Sequence, residues 1–172
     1  MENYTTKIKL DIGSGVAKFE DYLTVDRDLS VGADLVIDIE DAQDPMDWII
    51  NTPQGVATLF KSCDEIRAHH ILEHINPENK VKVMALFFDL LKPGGILDIE
   101  VPLFPHPASV QDPTHISFWC KESFWYFMKG NDFAENFKKR YSVCQVPLFD
   151  FVSDEFKGEV PWAYKIILKR PL

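Results

Sequence analysis

Two glycines between acidic residues form the first pattern in the chain that could bind a ligand. One apolar run leads into Asp11-Ile12-Gly13-Ser14-Gly15, and the next apolar run ends in Asp26. Glycine lets a backbone approach a ligand closely, and an acidic side chain ending the second strand can accept hydrogen bonds from both hydroxyls of a ribose. We therefore predict a nucleoside pocket built on these residues. A G-x-G by itself is also compatible with a simple tight turn.

The residues after the second glycine narrow the choice of ligand. A dinucleotide site needs a third glycine, in the pattern G-x-G-x-x-G, to receive a pyrophosphate. Lys18 occupies that sixth position. This counts against a nicotinamide-dependent dehydrogenase and favours a ligand without phosphates, whose cationic groups are compatible with the nearby carboxylates.

The histidines are the second feature with chemical potential. All five lie between positions 69 and 115, in segments that we expect beyond the carboxyl ends of the fourth and fifth strands. Ligands bind at that edge of an open α/β sheet. His106, Asp112 and His115 fall in a proline-rich stretch, and we predict that they are catalytic. His115 would act as a general base for a substrate hydroxyl or amine, and Asp112 would orient it.

Simpler structural roles compete with these assignments. His69 and His70 could be packed, hydrogen-bonded side chains, and Asp112, which precedes a proline, could only start a turn. Metal binding by His106, Asp112 and His115 needs a geometry that spacing alone does not provide, so we predict no metal site.

The elements that position these residues are short apolar segments alternating with helical ones, a pattern typical of a mostly parallel sheet covered by helices. We predict five strands near residues 8–12, 22–25, 34–37, 65–68 and 95–101. Two more strands, near 141–149 and 163–169, would complete the sheet as an antiparallel edge.

The clearest predicted helix runs from residue 77 to about 91, with Asn76 as its cap and Pro77 in its first turn. Further helices are predicted over 122–129 and from about residue 44. Only nine residues, 13–21, separate the first two strands. Because a parallel crossover normally needs a dozen or more residues, we expect the first crossover helix to be reduced to about one turn.

Composition limits the class of protein. With 172 residues and 46% hydrophobic content, the chain can fill one core, and we expect a single domain over 1–172. The net charge of −9 disfavours a nucleic-acid partner, because each phosphate contact needs a cation. We predict a cytoplasmic protein, since no window resembles a membrane span or signal peptide. The three scattered cysteines indicate reduced thiols.

Taken together, these segments resemble the class I S-adenosylmethionine-dependent methyltransferases. Residues 9–15 resemble that family's first motif, and residues 25–28 resemble the strand end that binds ribose. Residues 34–40 resemble the segment that contacts adenine. Residues 68–75 resemble the segment after the fourth strand, and residues 90–95 resemble the turn into the fifth. A narrower resemblance is to compact bacterial and phage methyltransferase-like proteins, which share the short first crossover and the segment Asp112-Pro113-Thr114-His115.

The resemblance implies a Rossmann-like α/β sheet, mostly parallel with an antiparallel C-terminal edge, and S-adenosylmethionine as the cofactor. It also implies a set of cofactor-binding residues: Asp11 at the methionine amino group, Gly13 and Gly15 beneath methionine and ribose, Asp26 on the ribose hydroxyls, Asp38 and Ile39 at adenine, and His69 and His70 closing the methionine side.

The expected activity is in-line transfer of a methyl group to an oxygen or nitrogen of a small acceptor, with alignment of donor and acceptor supplying most of the acceleration. The alternative is a non-catalytic protein that binds S-adenosylmethionine or its product as a sensor or scaffold. A homodimer is also predicted, on the argument that a reduced first crossover leaves apolar surface to be covered.

Overall fold

The computed structural model describes residues 7–42, 44–52, 55–140 and 146–172. Seven of its strands form one sheet: β1 (Lys9–Ile12), β2 (Leu23–Asp26), β3 (Leu35–Val36), β6 (Cys63–His69), β7 (Leu91–Pro102), β8 (Asp150–Lys157) and β9 (Ala163–Lys169). A separate antiparallel hairpin contains β4 (Ile49–Thr52) and β5 (Gly55–Thr58). The α-helices are α1 (Lys80–Leu90) and α2 (Asp132–Arg140). No helix among the described residues is long and apolar enough to span a membrane.

The order of strands confirms the predicted fold class. Across the sheet the order is β3-β2-β1-β6-β7-β9-β8. The first five of these strands are parallel, whereas β9 runs antiparallel to β7 and β8 antiparallel to β9. The chain therefore moves outward from β1 to β3, returns to the centre at β6 and continues in the opposite direction.

The predicted strand over 141–149 is wrong in its described part, because β8 begins only at Asp150. Residues 141–145 lie outside the described residues. Pro147 has no amide hydrogen to give to a strand ladder. Phe149 instead pairs locally, accepting a hydrogen bond from the Lys129 amide and donating one to the carbonyl of Phe127 (both 2.8 Å).

The helix predicted from residue 77 is present. The Asn76 side chain accepts a hydrogen bond from the Glu78 amide, a short 3-10 turn follows, and α1 continues to Leu90. Its core-facing residues are Val83, Met84, Leu86, Phe87 and Leu90. The chain then turns directly into β7, which is the element that the helix covers.

Two other helix predictions needed correction. The segment predicted over 122–129 forms a 3-10 helix, Lys121–Phe127. The helix predicted from residue 44 is a single 3-10 turn, Pro45–Asp47, capped by the Asp44 side chain. The following Ile49-Ile50-Asn51-Thr52 is rich in β-branched residues, which favour extended backbone, and it forms the first strand of the unpredicted hairpin. Helix α2 was also not predicted.

The sheet has two unlike faces. On the first, which we call the covered face, apolar side chains from β1, β2, β6, β7 and β9 pack with α1 in the hydrophobic core. On the second, the open face, the strand registers place a ladder of charged side chains: Lys9, Asp11, Glu65, Arg67, His69, Asp98, Glu100 and Lys165. Within the described residues, the prediction of a sheet covered by helices therefore holds for one of the two faces of the sheet.

Crossover geometry explains this asymmetry. Right-handed connections place the β1–β2 and β2–β3 crossovers on the face opposite the β6–β7 crossover. The first of these has only turns between residues 13 and 22, and the second has one 3-10 turn, Leu29–Val31, so neither supplies an α-helix. This confirms the predicted reduction of the first crossover helix.

Ion pairs and two aromatic rings replace the missing helices on the open face. Lys9 lies 3.4 Å from Glu65, and Lys165 and His69 each lie 2.8 Å from Asp98. Phe19 of the first crossover stacks over the Arg67 guanidinium, 4.2 Å from its carbon, and Tyr22 donates a hydrogen bond to Glu65.

Two of the predicted reduced thiols lie among the described residues. Cys63 is buried in the core, and burial raises the pKa of its thiol to about 12. Cys120 is half-buried, and both are free. Cys144 lies outside the described residues.

The buried member of the ladder gives a test of how this face is held. Asp11 is 1% exposed, and Arg67 reaches it at 2.7 Å. Arg67→Ala leaves a buried carboxylate without its cation and should lower the free energy of unfolding by about 3–5 kcal/mol. Lys9→Ala removes a half-exposed partner of Glu65 and should lower it by less than about 1 kcal/mol. Urea denaturation of the two variants measures both, and equal losses would contradict the central role of the Asp11–Arg67 pair.

Candidate active site

A cavity of about 340 Å³ opens at the carboxyl ends of the first strands. Its wall comes from the ends of β1 and β2, from the segments that follow β1, β2 and β3, and from a group of later residues: His70, Ile71, His74, Ile75 and Thr114. The strand order reverses between β1 and β6, and open α/β sheets bind their ligands at such a switch point. A cavity is therefore present at the edge of the sheet where the sequence analysis expects a ligand to bind.

The glycine loop forms one wall. Gly13 has a φ of +73° and donates a hydrogen bond to the Val25 carbonyl at 2.8 Å. A Cβ on Gly13 would lie 2.9 Å from the side chain of Ile71, so a residue without a side chain is needed there. This close approach brings the loop against the apolar side of the cavity that Ile71 and Ile75 contribute after β6.

Asp26 closes the loop. Its two carboxylate oxygens accept hydrogen bonds from the amides of Gly15 and Asp28, each at 2.9 Å. A carboxylate has about four acceptor positions, so both oxygens keep acceptor capacity for a ligand. Asp26 thus shapes the glycine loop and presents hydrogen-bond acceptors to the cavity.

The segment after β3 supplies a mixed polar and apolar wall. Asp38 accepts a hydrogen bond from the Glu40 amide at 2.9 Å and lies 3.7 Å from Arg27. Ile39 is 5% exposed and packs into the core beneath the cavity. Glu40, which the sequence analysis did not select, accepts hydrogen bonds from the amide of Asn76 and from the side chain of Asn79.

Six of the eight predicted cofactor residues line the cavity: Gly13, Gly15, Asp26, Asp38, Ile39 and His70. Asp11 and His69 are not part of its wall. Both belong to the open face, where Asp11 pairs with Arg67 and His69 pairs with Asp98. Alternation along a strand explains this placement, because neighbouring residues point to opposite faces of a sheet.

His70 stands at the end of β6 in a left-handed conformation, with a φ of +54°. Its ring stacks on Trp162 and lies between two carboxylates, with Nδ1 3.4 Å from Glu73 and Nε2 3.1 Å from Glu100. The Glu73 carboxylate, with help from Glu100, raises the pKa of His70 even though burial lowers it. A cationic imidazole is therefore favoured at this edge of the cavity.

The three residues predicted to be catalytic are not gathered in one place. The His106 ring accepts a hydrogen bond from the Ala108 amide and caps a 3-10 turn outside the cavity wall. Asp112 accepts two hydrogen bonds from Thr114, which lower the pKa of its carboxyl and give it the role of a turn former. Its nearest approach to His115 is 4.0 Å, at Nε2.

His115 instead meets two residues that follow β6. Its ring packs edge to face against His74, with 4.9 Å between ring centres. Glu73, directly before His74, is 2% exposed. The amides of Ile116 and Ser117 both donate to the Glu73 carbonyl at 3.0 Å, which fixes the loop carrying His115 beside this pair. The sequence contains one indication of this site that was not used: Glu73 and His74 are adjacent and lie shortly after the strand predicted over 65–68.

Comparison with known proteins agrees with this geometry at the level of the fold. No protein-family model matches the chain, and no curated protein matches it. Among solved structures, a SAM-dependent methyltransferase from Archaeoglobus fulgidus has a TM-score of 0.63 and 18% identity, over 95% of this chain and 86% of that chain.

Two further structures show how widely the acceptors of similar folds differ. The 1,6-didemethyltoxoflavin-N1-methyltransferase of Burkholderia thailandensis has a TM-score of 0.56 and 12% identity, over 96% of this chain and 71% of its own. A variant 16S rRNA adenine methyltransferase from Catenulisporales acidiphilia has a TM-score of 0.53 and 14% identity, over 96% and 85%. The chain therefore has the fold of the class I S-adenosylmethionine-dependent methyltransferases.

The tight contact at Gly13 can be measured against a matched glycine. Gly32 has a similar φ of +67°, but a Cβ there would meet no atom of the described residues within 4 Å. Gly32→Ala should therefore lose only the roughly 1–2 kcal/mol of left-handed strain. Gly13→Ala should lose about 1–3 kcal/mol more, because the new methyl group overpacks against Ile71. Equal unfolding midpoints in urea would show that Gly13 has room for a side chain.

Proposed function

We propose that this protein binds S-adenosylmethionine and transfers its methyl group to an oxygen or nitrogen of a small acceptor. The observation that carries the proposal is the pairing of Asp26 with the glycine loop. An acceptor-rich carboxylate ends β2 beside a loop whose backbone borders the cavity, at the point where the strand order reverses. Hydroxyls of a ribose fit such a carboxylate, and a close backbone fits the chain that extends from it.

The rest of the cavity wall fits the same cofactor. Ile37, Ile39 and Ile75 offer apolar surface suited to one face of an adenine ring, and Asp38 lies beside them as a hydrogen-bond acceptor. The wall contains three carboxylates, Arg27 and His70, so negative charge still exceeds positive charge even with a protonated imidazole, which favours a ligand with cationic groups over one with phosphates. His69 and Asp11 are left out of this assignment, since both side chains belong to the open face.

When bound, the cofactor supplies a methyl group on a cationic sulfur; the acceptor lone pair forms the new bond to carbon, and sulfur keeps the electrons of the broken one. The protein's part is to align the acceptor and to receive any proton that it loses. The Nδ1 of His115 lies 3.3 Å from the Ser109 carbonyl, to which it can donate, so its Nε2 is left to accept a proton. We assign proton acceptance to His115, beside His74 and Thr114 of the cavity wall.

The proposal for the partners follows from charge and exposure. The net charge of −9 favours a small-molecule acceptor over a nucleic acid. The homodimer was predicted because a reduced first crossover should leave apolar surface uncovered. The support for it is weaker than expected, because the open face carries ion pairs and only Val16 and Phe19 of the first crossover are exposed large apolar residues. Light scattering over a range of concentrations tests the dimer directly.

The cofactor assignment depends on Asp26. Asp26→Ala removes the acceptor for two ribose hydroxyls and frees the amides of Gly15 and Asp28, so affinity for S-adenosylhomocysteine should fall at least about tenfold, or roughly 1–3 kcal/mol. Asp34→Ala is the matched control. The Asp34 carboxylate also accepts hydrogen bonds from β2, from the amide and the hydroxyl of Thr24, but it lies outside the cavity wall. Calorimetry should show no comparable binding of NAD. Unchanged affinity in Asp26→Ala would remove this residue from the site.

The catalytic assignment depends on His115. After an acceptor is found by screening metabolite, sugar and peptide pools for transfer of a labelled methyl group, His115→Ala should lower turnover by about 10²–10⁴ and leave S-adenosylhomocysteine affinity nearly intact. His106→Ala, at a ring that accepts a hydrogen bond from the Ala108 amide and caps a 3-10 turn, should retain turnover. Cofactor binding without transfer to any pool would instead indicate a binding protein, and wild-type turnover in His115→Ala would leave alignment as the sole source of acceleration.

A further inference from the structure

We propose that Glu73, His74 and His115 form a binding site for a divalent transition-metal ion such as Zn²⁺ at the acceptor end of the cavity. Each of the three offers one ligand atom, and these atoms lie within 4.8 Å of one another. Two imidazoles and one carboxylate are a donor set that suits zinc and its neighbours in the first transition row. This set differs from the His106, Asp112 and His115 group considered from the sequence, with which it shares only His115.

The burial of Glu73 is the first argument for the site. The residue is 2% exposed, and neither of its carboxylate oxygens has a hydrogen-bond partner among the described residues. A buried carboxylate is costly unless it is paired or binds a metal. A basic side chain nearby is that of His70, whose Nδ1 lies 3.4 Å from one oxygen, within ion-pair distance but without a hydrogen bond to it. His70 also contacts Glu100 at 3.1 Å, so its charge is shared between two carboxylates.

The orientation of the two histidines is an independent argument. The Nδ1 of His74 lies 3.2 Å from the Thr114 carbonyl, and that of His115 lies 3.3 Å from the Ser109 carbonyl. A carbonyl only accepts, and the Thr114 hydroxyl, which also lies 3.2 Å from the Nδ1 of His74, donates its proton to Asp112. We therefore assign the donor role to each Nδ1 and the lone pair to each Nε2. Metal-binding histidines are held in this way, with the second ring nitrogen donating to a backbone carbonyl or a carboxylate.

The arrangement needs only a local adjustment to reach coordination distances. Zinc–nitrogen and zinc–oxygen bonds of about 2.0–2.2 Å place tetrahedral ligand atoms roughly 3.3 Å apart. The widest separation must therefore close by about 1.5 Å, a movement within the reach of side-chain rotation. Asp112, 4.0 Å from the Nε2 of His115, is the other charged group that faces the site.

Three protein ligands leave a fourth position open, as in catalytic zinc sites. His74 belongs to the cavity wall, as does Thr114 next to His115, so the proposed ion would lie at the border of the cavity. We infer, resting on the proposed function, that the acceptor is a molecule whose oxygen or nitrogen can coordinate the ion. Coordination would orient that atom and lower its pKa, and in the zinc-loaded protein its proton would pass to solvent because the Nε2 of His115 would be a ligand. The proton-accepting role proposed above for His115 applies to the protein without the ion.

Calorimetric titration of chelator-stripped protein with ZnCl₂ tests the site without any acceptor. We expect one ion per chain in the wild type and at least about a tenfold loss of affinity in both Glu73→Gln and His74→Ala. His106→Ala should bind zinc as the wild type does, because its ring lies outside the cluster. Titration with CoCl₂ should give the visible absorption of a low-coordinate site in the wild type and lose it in the two cluster variants.

Absence of stoichiometric binding, or binding that survives both cluster substitutions, would overturn the inference. So would loss of binding in His106→Ala, which would favour the group considered from the sequence. Thermal melts check that each variant is folded. If Glu73→Gln does not fold, His74→Ala decides the outcome, because replacing the half-buried His74 should disturb folding less. S-adenosylhomocysteine binding to stripped protein separates the two proposals: its presence without zinc binding removes the metal site alone, and its absence removes the cofactor assignment.

Discussion

The pairing of Asp11 with Arg67 is the interaction on which the architecture depends most. A sheet with its helices on one side must still satisfy the other side, and here the first two crossovers contain no α-helix to cover it. Charged side chains at alternate positions of β1, β6, β7 and β9 pair across the strands instead. Asp11 is the most buried of them, at the centre of the sheet, and Phe19 shields its arginine from solvent. Because a ladder of ion pairs takes the place of the crossover helices on this face, a chain of 172 residues can form a seven-stranded sheet.

The ligand site survives this reduction because it is built from strand ends and turns. In a longer crossover a helix would begin after the glycine loop and its amide groups would face the ligand. In this chain the loop is anchored at both ends to β2, through the Val25 carbonyl and the Asp26 carboxylate. Asp26 consequently has two functions, since it holds the loop and offers acceptors to the cavity. The remaining walls come from residues after β3 and β6, which lie at the same edge because parallel strands share it.

The loop that carries Thr114 and His115 is the other part of the site, and it depends on Glu73. The Glu73 carbonyl accepts hydrogen bonds from two successive amides of that loop, while its carboxylate lies buried between His70 and the two other histidines. Glu73 thus organises both the backbone and the charge in the segment that follows β6. In the proposed reaction the acceptor must be held in line with the donor, and this junction is where we propose that it is held.

Much of this protein was determined by short stretches of sequence. The glycine loop, the acid ending β2, the Asn76 cap of the turn that leads into α1 and the reduced crossover were all predicted, because each depends on the conformation of a few neighbouring residues. The alternation of Glu65, Arg67 and His69 with apolar residues also indicates one-sided burial of β6, although the sequence analysis did not use it. Tertiary structure alone decided that Asp11 and His69 lie outside the cavity wall, that the His106 and Asp112 side chains accept hydrogen bonds within their own turns, and that Glu73 meets His115. Residues 42 positions apart come together through strand order and loop anchoring, which no local pattern specifies.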